Sequence, residues 1–197
     1  MGGNMTGMPL ILASASPRRA ELLANAGIAF VIRPAHVPEI HNHAESPADY
    51  VRRLARAKAA AVEATEDEVV LGADTTVVAA GEVLEKPADA ADARRMLALL
   101  SGRAHHVITG ICLRRGASYL VDAQSTEVCF ADLTQDDIDA YVASGEPFDK
   151  AGAYAIQGLA SRFVERIDGC YFNVVGLPVP LVWKRLREFE ELSSYRR

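Results

Sequence analysis

The stretch Leu10–Leu23, LILASASPRRAELL, decides how the chain is read. Leu10-Ile11-Leu12-Ala13 is short and apolar enough for a buried strand. Ser16 is a favourable N-cap and Pro17 suits the first helical position. Arg18-Arg19-Ala20-Glu21-Leu22-Leu23 then continues as a helix that Gly27 stops. A helix start presents unpaired N–H groups and the positive end of the helix dipole, so it holds anions well. Here Ser14 and Ser16 add hydroxyls, and the two guanidiniums add charge and forked donors suited to phosphate. Arginine at this end of a helix is unfavourable unless negative charge sits beside it. The turn is therefore either an anion cradle or a capped helix with two solvated arginines.

Strands and helices keep alternating outward from this point. FVIRPAHVPEI (30–40) reads as a strand running into the polar loop HNHAESPAD (41–49), and Ser46-Pro47 starts a helix over 47–64. EVVLGADTTVVAAGEVLEKP (68–87) holds two strands around a turn at Ala80-Gly81. Residues 89–102 form a helix capped by Asp89 and ended by Gly102, and residues 104–133 form two or three strands of a meander. Thr134 and Asp137 approximate a capping box for a helix that Gly145 stops. An Asp168-Gly169 turn and an amphipathic helix over 178–192 close the chain. The interleaving predicts an α/β fold with a mixed sheet. No linker is long enough to separate independent domains, so the expectation is a disordered start over 1–8 and a single domain over 9–197.

Composition narrows the function classes. The chain has 197 residues, half of them hydrophobic, enough for one substantial core. A net charge of −5 argues against a nucleic-acid binder that relies on a large basic face. Cys112, Cys129 and Cys170 are far apart and form no C-x-x-C pair, which fits a reduced compartment and no zinc knuckle. No apolar run approaches the ~20 residues that span a bilayer. The opening MGGNMTGMP reads as neither signal peptide nor anchor, and the expected location is cytoplasmic.

Several residues ask for a chemical reason. On the helix over 47–64, Val51, Leu54, Ala55 and Val62 share one face at ~100° per residue, and Lys58 falls near its middle. A lysine there must snorkel, pair with an acid or reach into a cleft. Asp74 sits inside an otherwise β-forming run after Gly72, which lets the backbone bend or approach a ligand, and is followed by Thr75 and Thr76. Such a carboxylate caps a turn, or it needs a cation, a metal or a water to activate. Lys86, at a proline-enforced turn, is placed for a phosphate or for plain surface. Gln157, in the glycine-rich stretch GEPFDKAGAYAIQG (145–158), is an amide able to read a base edge. Glu39 reads as a strand-end acid that can join Asp74 around a hard cation such as Mg²⁺. His36, His41 and His43 lack ligand spacing, and of His105 and His106 one faces inward, which core packing explains. Together these residues point to metal-assisted phosphate chemistry without a Walker A lysine loop.

The motifs LASASPRR (12–19), LARAKA (54–59), LGADTTV (71–77), GEVLEKP (81–87), SGRAHHVITG (101–110), YVASGEPFDKAGAYAIQG (141–158) and YFNVVGLP (171–178) run in one order along nearly the whole chain. In that order they resemble the Maf family of nucleoside triphosphate pyrophosphatases. The resemblance implies a fold like that of the inosine triphosphatase-type enzymes, with a mixed sheet flanked by helices and two lobes around a cleft. It implies hydrolysis of a nucleoside triphosphate between its α- and β-phosphates, with Mg²⁺ or Mn²⁺. Asp74 matches the family's proton acceptor and, with Glu39, a metal-binding position. Ser14, Arg19, Lys58 and Lys86 match positions linked to phosphate, and Arg18, Thr75 and Gln157 match positions linked to base choice.

Relatives acting on 7-methyl-GTP look different at three places. An aromatic follows the proline of the first motif, the GADT stretch is altered, and CAGSF replaces KAGAY. Arg18, GADTT and DKAGAYAIQG here resemble instead the branch that hydrolyses dTTP and UTP, with modified forms such as 5-methyl-UTP and pseudo-UTP. Ala155, where many relatives have glycine, and Phe172 depart from the pattern without touching a matched functional position. The alternatives are a relative acting on 7-methyl-GTP or another purine nucleotide, and a non-enzymatic septum-formation or cell-division regulator. The expected partner is the nucleotide alone, with neither nucleic acid nor membrane; a homodimer is common among similar proteins.

Overall fold

The computed structural model describes residues 9–42 and 44–194; the stretch 1–8, expected to be disordered, and His43 lie outside the described residues. In chain order the elements are β1 (Leu10–Leu12), α1 (Pro17–Asn25), β2 (Val31–Ile32), α2 (Pro47–Ala60), β3 (Val69–Ala79), β4 (Glu82–Leu84) and α3 (Ala90–Leu100). There follow β5 (Ala104–Arg115), β6 (Ser118–Phe130), α4 (Gln135–Ala143), β7 (Val164–Asp168), α5 (Tyr171–Val175) and α6 (Val179–Ser194). The strands form one seven-stranded sheet in the order β2-β1-β3-β5-β6-β7, with β4 beside β3. The sheet is mixed: β1 is parallel to β2 and β3, whereas β4 and β7 pair antiparallel to β3 and β6. The expected α/β class with a mixed sheet and flanking helices is what the chain adopts.

By their contacts the residues fall into two compact units. One contains the chain up to Asp74, Thr109–Gln124 and the part from Gly176; the other contains Thr75–Ile108 and Ser125–Val175. In the first, β1 pairs Leu10 with Val69 and Leu12 with Leu71. Both faces of these parallel strands are buried, which is why LIL and VVL read as unbroken apolar runs. Leu10, Leu12, Val69 and Leu71 pack with Leu23 of α1 and with Val182, Leu186 and Phe189 of α6. On the opposite face Ile11, Ala13 and Val70 pack with Ala55 and Ala59 of α2.

The second unit has its own core. Val77, Leu84, Met96, Leu97 and Leu100 pack with Val107, Val128, Phe130, Ile138 and Tyr141. His105 is buried there, its Nε2 2.9 Å from the Tyr154 hydroxyl and its ring edge-on to Phe130. Burial pushes this imidazole down to about 4, so it is a neutral core residue, while His106 is exposed.

Local signals act as expected at most boundaries. Ser46 and Asp89 accept from the amides of Asp49 and Asp92, and Thr134 with Asp137 forms a capping box. Ala80 and Gly81, at φ of 50° and 81°, make the turn between β3 and β4. Three expectations are corrected. The strand expected over 30–40 is reduced to Val31–Ile32. The helix expected over 47–64 ends at Ala60, because the Arg114 guanidinium on β5 donates to Ala59 O at 2.9 Å and Val62 O at 2.6 Å and closes its carbonyl end. The meander, as expected of two or three strands, consists of two long ones. Ser16 stands at the N-cap of α1, yet its side chain makes no capping hydrogen bond. Among the described residues no helix is long and apolar enough to cross a membrane.

Candidate active site

The first unit gathers Ser14, Arg18, Arg19, Glu39, Lys58 and Asp74. The geometry follows from the strand period. Val70, Gly72 and Asp74 alternate onto the face of β3 that α2 covers, so Asp74 meets the helix carrying Lys58. Gly72 is what lets α2 come so close: a Cβ there would stand 2.1 Å from Ala55 O and 2.7 Å from Ala59 N. Gly110 on β5 does the same beneath the preceding turn, with a Cβ position 2.4 Å from Val51 O. Gly72, expected to let the backbone bend or approach a ligand, has the backbone of α2 as its neighbour instead.

Lys58 is 8% exposed and Asp74 6%. The Lys58 ammonium lies 2.6 Å from Asp74 Oδ1 and 2.6 Å from Glu39 Oε1. Of the fates open to a lysine on an apolar face, this one pairs with acids. Glu39 itself is exposed and lies seven residues beyond β2, in a loop and not at a strand end. Its loop is fastened from α2: Arg53 donates to Ile40 O at 2.9 Å and makes a forked pair with Glu45, while its guanidinium lies over Tyr50. Arg53 had no signal in the sequence beyond being one of several helix arginines.

The turn between β1 and α1 is built around the Ser14 hydroxyl. It accepts from the Ser16 amide at 3.2 Å and from Arg19 Nη1 at 3.2 Å. Arg19 also donates to Ala73 O and Gly176 O, each at 2.9 Å, which ties α1 to β3 next to Asp74. Arg18 is half-buried in the first turn of α1. Three cationic side chains thus accompany two carboxylates, which leaves the cluster positive and fit for an anion.

Burial raises the pKa of Asp74 above the ordinary aspartate value, against the charges of Lys58 and Arg19, which lower it. Burial lowers that of Arg19, against the charges of Asp74 and Glu39. A carboxylate with raised proton affinity at a cation-rich turn can accept a proton from a water. Among the described residues no group of three His, Cys, Asp or Glu side chains could hold a metal. Glu39 and Asp74 nevertheless converge on one point, the Lys58 nitrogen. Two hard oxygen donors with phosphate oxygens beside them are a donor set Mg²⁺ accepts.

Thr75, Lys86 and Gln157 belong to the second unit. Thr75 directly follows Asp74 on β3 and is half-buried; Lys86 is exposed in the segment between β4 and α3; Gln157 is exposed in a turn between two short 3₁₀ segments.

Comparison with known proteins agrees with the motifs. The family described as Maf-like protein matches residues 9–189. The chain is 54% identical over 182 residues to a dTTP/UTP pyrophosphatase of Koribacter versatilis, covering 92% of this chain and 94% of that one. It is 57% identical over 174 residues to a dTTP/UTP pyrophosphatase of Anaeromyxobacter dehalogenans, covering 86% and 88%. A HAM1 protein from Coxiella burnetii is superposed with a TM-score of 0.42 and 19% identity over 65% of this chain and 75% of that one, which adds nothing to the assignment. The extent of the family match and the identity over nine-tenths of the chain settle the relationship: the chain belongs to the Maf family.

Proposed function

We propose that the protein hydrolyses dTTP and UTP, and modified uridine triphosphates such as 5-methyl-UTP and pseudo-UTP, to the monophosphate and pyrophosphate. The observation that carries this reading is the buried Asp74, of raised proton affinity, held 2.6 Å from Lys58. It occurs in a chain 54% identical to a protein named for that activity. In the cytoplasm such an enzyme keeps the nucleotide pool clean.

The triphosphate is received by the Ser14 hydroxyl, the amino-terminal end of α1 and the charges of Arg18, Arg19 and Lys58. Asp74 takes the proton of the water that attacks the α-phosphorus, and the bond to the bridging oxygen of pyrophosphate breaks. Lys58 and Arg19, with Lys86 from the segment after β4, oppose the negative charge that builds on the departing pyrophosphate. Glu39 and Asp74 would hold a divalent cation, Mg²⁺ or Mn²⁺, which supplies charge neutralisation and orientation of water when bound. Arg18, Thr75 and Gln157 choose the base; a glutamine amide pairs as donor and acceptor with the O4/N3 edge of thymine or uracil.

The test is pyrophosphate release with Mg²⁺ and with Mn²⁺ across dTTP, UTP, 5-methyl-UTP, CTP, GTP, ATP and 7-methyl-GTP, alongside Asp74→Asn. Turnover confined to thymine and uracil nucleotides and lost in Asp74→Asn is expected. Preference for 7-methyl-GTP would overturn the base assignment, and no turnover on any of them would favour a nucleotide-binding regulator.

A further inference from the structure

The segment that carries Gln157 is held in an unusual way. Ala155–Gly158 forms a hydrogen-bonded turn, Gly158 N donating to Ala155 O at 3.0 Å, with Gln157 exposed within it. The backbone amides on either side of that turn are bound by two side chains from one other place in the same unit. Ala155 N donates to the Tyr141 hydroxyl at 3.2 Å, and Leu159 N donates to Glu146 Oε2 at 3.1 Å. Tyr141 in turn donates its own proton to Glu146 Oε1 at 2.8 Å, which locks the two supports together. The turn lies directly on the carboxylate: a Cβ at Gly158 would stand 2.4 Å from Glu146 Oε2 and 2.6 Å from its carboxyl carbon. Tyr141 is fully buried at the end of α4, its ring edge-on to Phe163, so its hydroxyl cannot wander. Gly145, at φ 77°, reverses the chain after α4 and brings Glu146 back under the turn.

We propose that Tyr141 and Glu146 are positioning residues for base selection: they hold the 155–159 turn so that the Gln157 amide meets the pyrimidine edge in one orientation. The inference rests on Gln157 contacting the base. An amide on an exposed turn discriminates donor from acceptor only if its backbone is fixed, since a swinging amide satisfies either pattern. Charged acceptors hold amide donors more firmly than neutral ones, which is the advantage of a carboxylate at this place.

Thymine and cytosine differ at the edge in question, so the readout is the ratio of kcat/KM for dTTP to that for CTP. Tyr141→Phe keeps the ring and removes the hydroxyl; Glu146→Gln keeps the shape and removes the charge; Gln157→Ala removes the reader. Each of the three is expected to lower the ratio by roughly ten- to hundred-fold. The double variant Tyr141→Phe/Gln157→Ala is expected to fall no further than Gln157→Ala alone, because the support has nothing left to orient. A merely structural role would lower the melting temperature and leave the ratio in place. If Gln157→Ala lowers the ratio while Tyr141→Phe and Glu146→Gln do not, or if the losses add independently in the double variant, the positioning role is overturned and the base reading stands. If Gln157→Ala leaves the ratio unchanged, the base reading fails and this inference with it. Should Glu146→Gln not fold, Tyr141→Phe and the double variant decide the matter.

Discussion

Replacing Gly72 by alanine tests whether the distance between α2 and β3 sets the activity. The added Cβ would lie 2.1 Å from Ala55 O, and carbon atoms of this kind stay beyond 3.0 Å, so α2 must retreat by about 0.9 Å. Ala59 N, at 2.7 Å from the same point, prevents the helix from escaping by a simple roll. Lys58 lies between Ala55 and Ala59 on that helix, so its contact with Asp74 opens from 2.6 Å to roughly 3.5 Å, beyond a hydrogen bond. Overpacking of this size costs about 1–3 kcal/mol. For a chain of this length that lowers the melting temperature by roughly 2–12 °C. A displacement near 1 Å at a charge pair is expected to lower kcat/KM for dTTP by about a hundred-fold. The assay is pyrophosphate release with a thermal melt on the same preparation. Parental turnover at the parental melting temperature would refute the packing argument. A lower melt with parental turnover would keep the packing and remove Lys58 placement from the rate.

Asp74 also predicts a pH dependence. Its folded pKa is raised, so kcat/KM should climb with pH through a midpoint above the ordinary ~3.9, and Lys58→Met should move that midpoint higher still. A midpoint at or below the ordinary value would remove Asp74 as the base. Between its ordinary and raised values the folded chain holds a proton that the unfolded chain has lost, so this group adds stability as pH falls. Asp74→Asn should flatten that part of a melt-against-pH curve. Arg53→Ala frees the loop of Glu39 from α2, and the divalent-metal concentration for half-maximal activity should rise several-fold; an unchanged metal requirement would sever the loop from metal binding.

Much of the fold was legible because its signals are local. Ser46, Asp89 and the Thr134–Asp137 box announce helix starts within three residues of themselves, and LIL with VVL declare strands buried on both faces. Lys58 was legible as a misfit, a charge in the middle of an apolar face, and Asp74 as its complement in a β-forming run. What stayed hidden depends on contacts distant in sequence. Arg114 shortens α2 from a position more than fifty residues further along the chain. Gly110 reads as an ordinary strand glycine until the helix backbone lying on it is known. Tyr141 and Glu146 sit within a motif, yet nothing in their spacing tells that both reach the same turn.

The place of Gly176 and α6 bears on how the chain is made. Ribosomes deliver the amino terminus first. Yet the apolar cluster around Leu10, Leu12 and Leu71 is closed by Leu177, Val182, Leu186 and Phe189, which come far later in the chain. Arg19, too, finds one of its acceptors only when Gly176 O arrives. The unit that is begun first is therefore finished last, after every residue of the other has emerged. A nascent or clipped chain ending before Gly176 carries Ser14, Lys58 and Asp74 without the frame that arranges them.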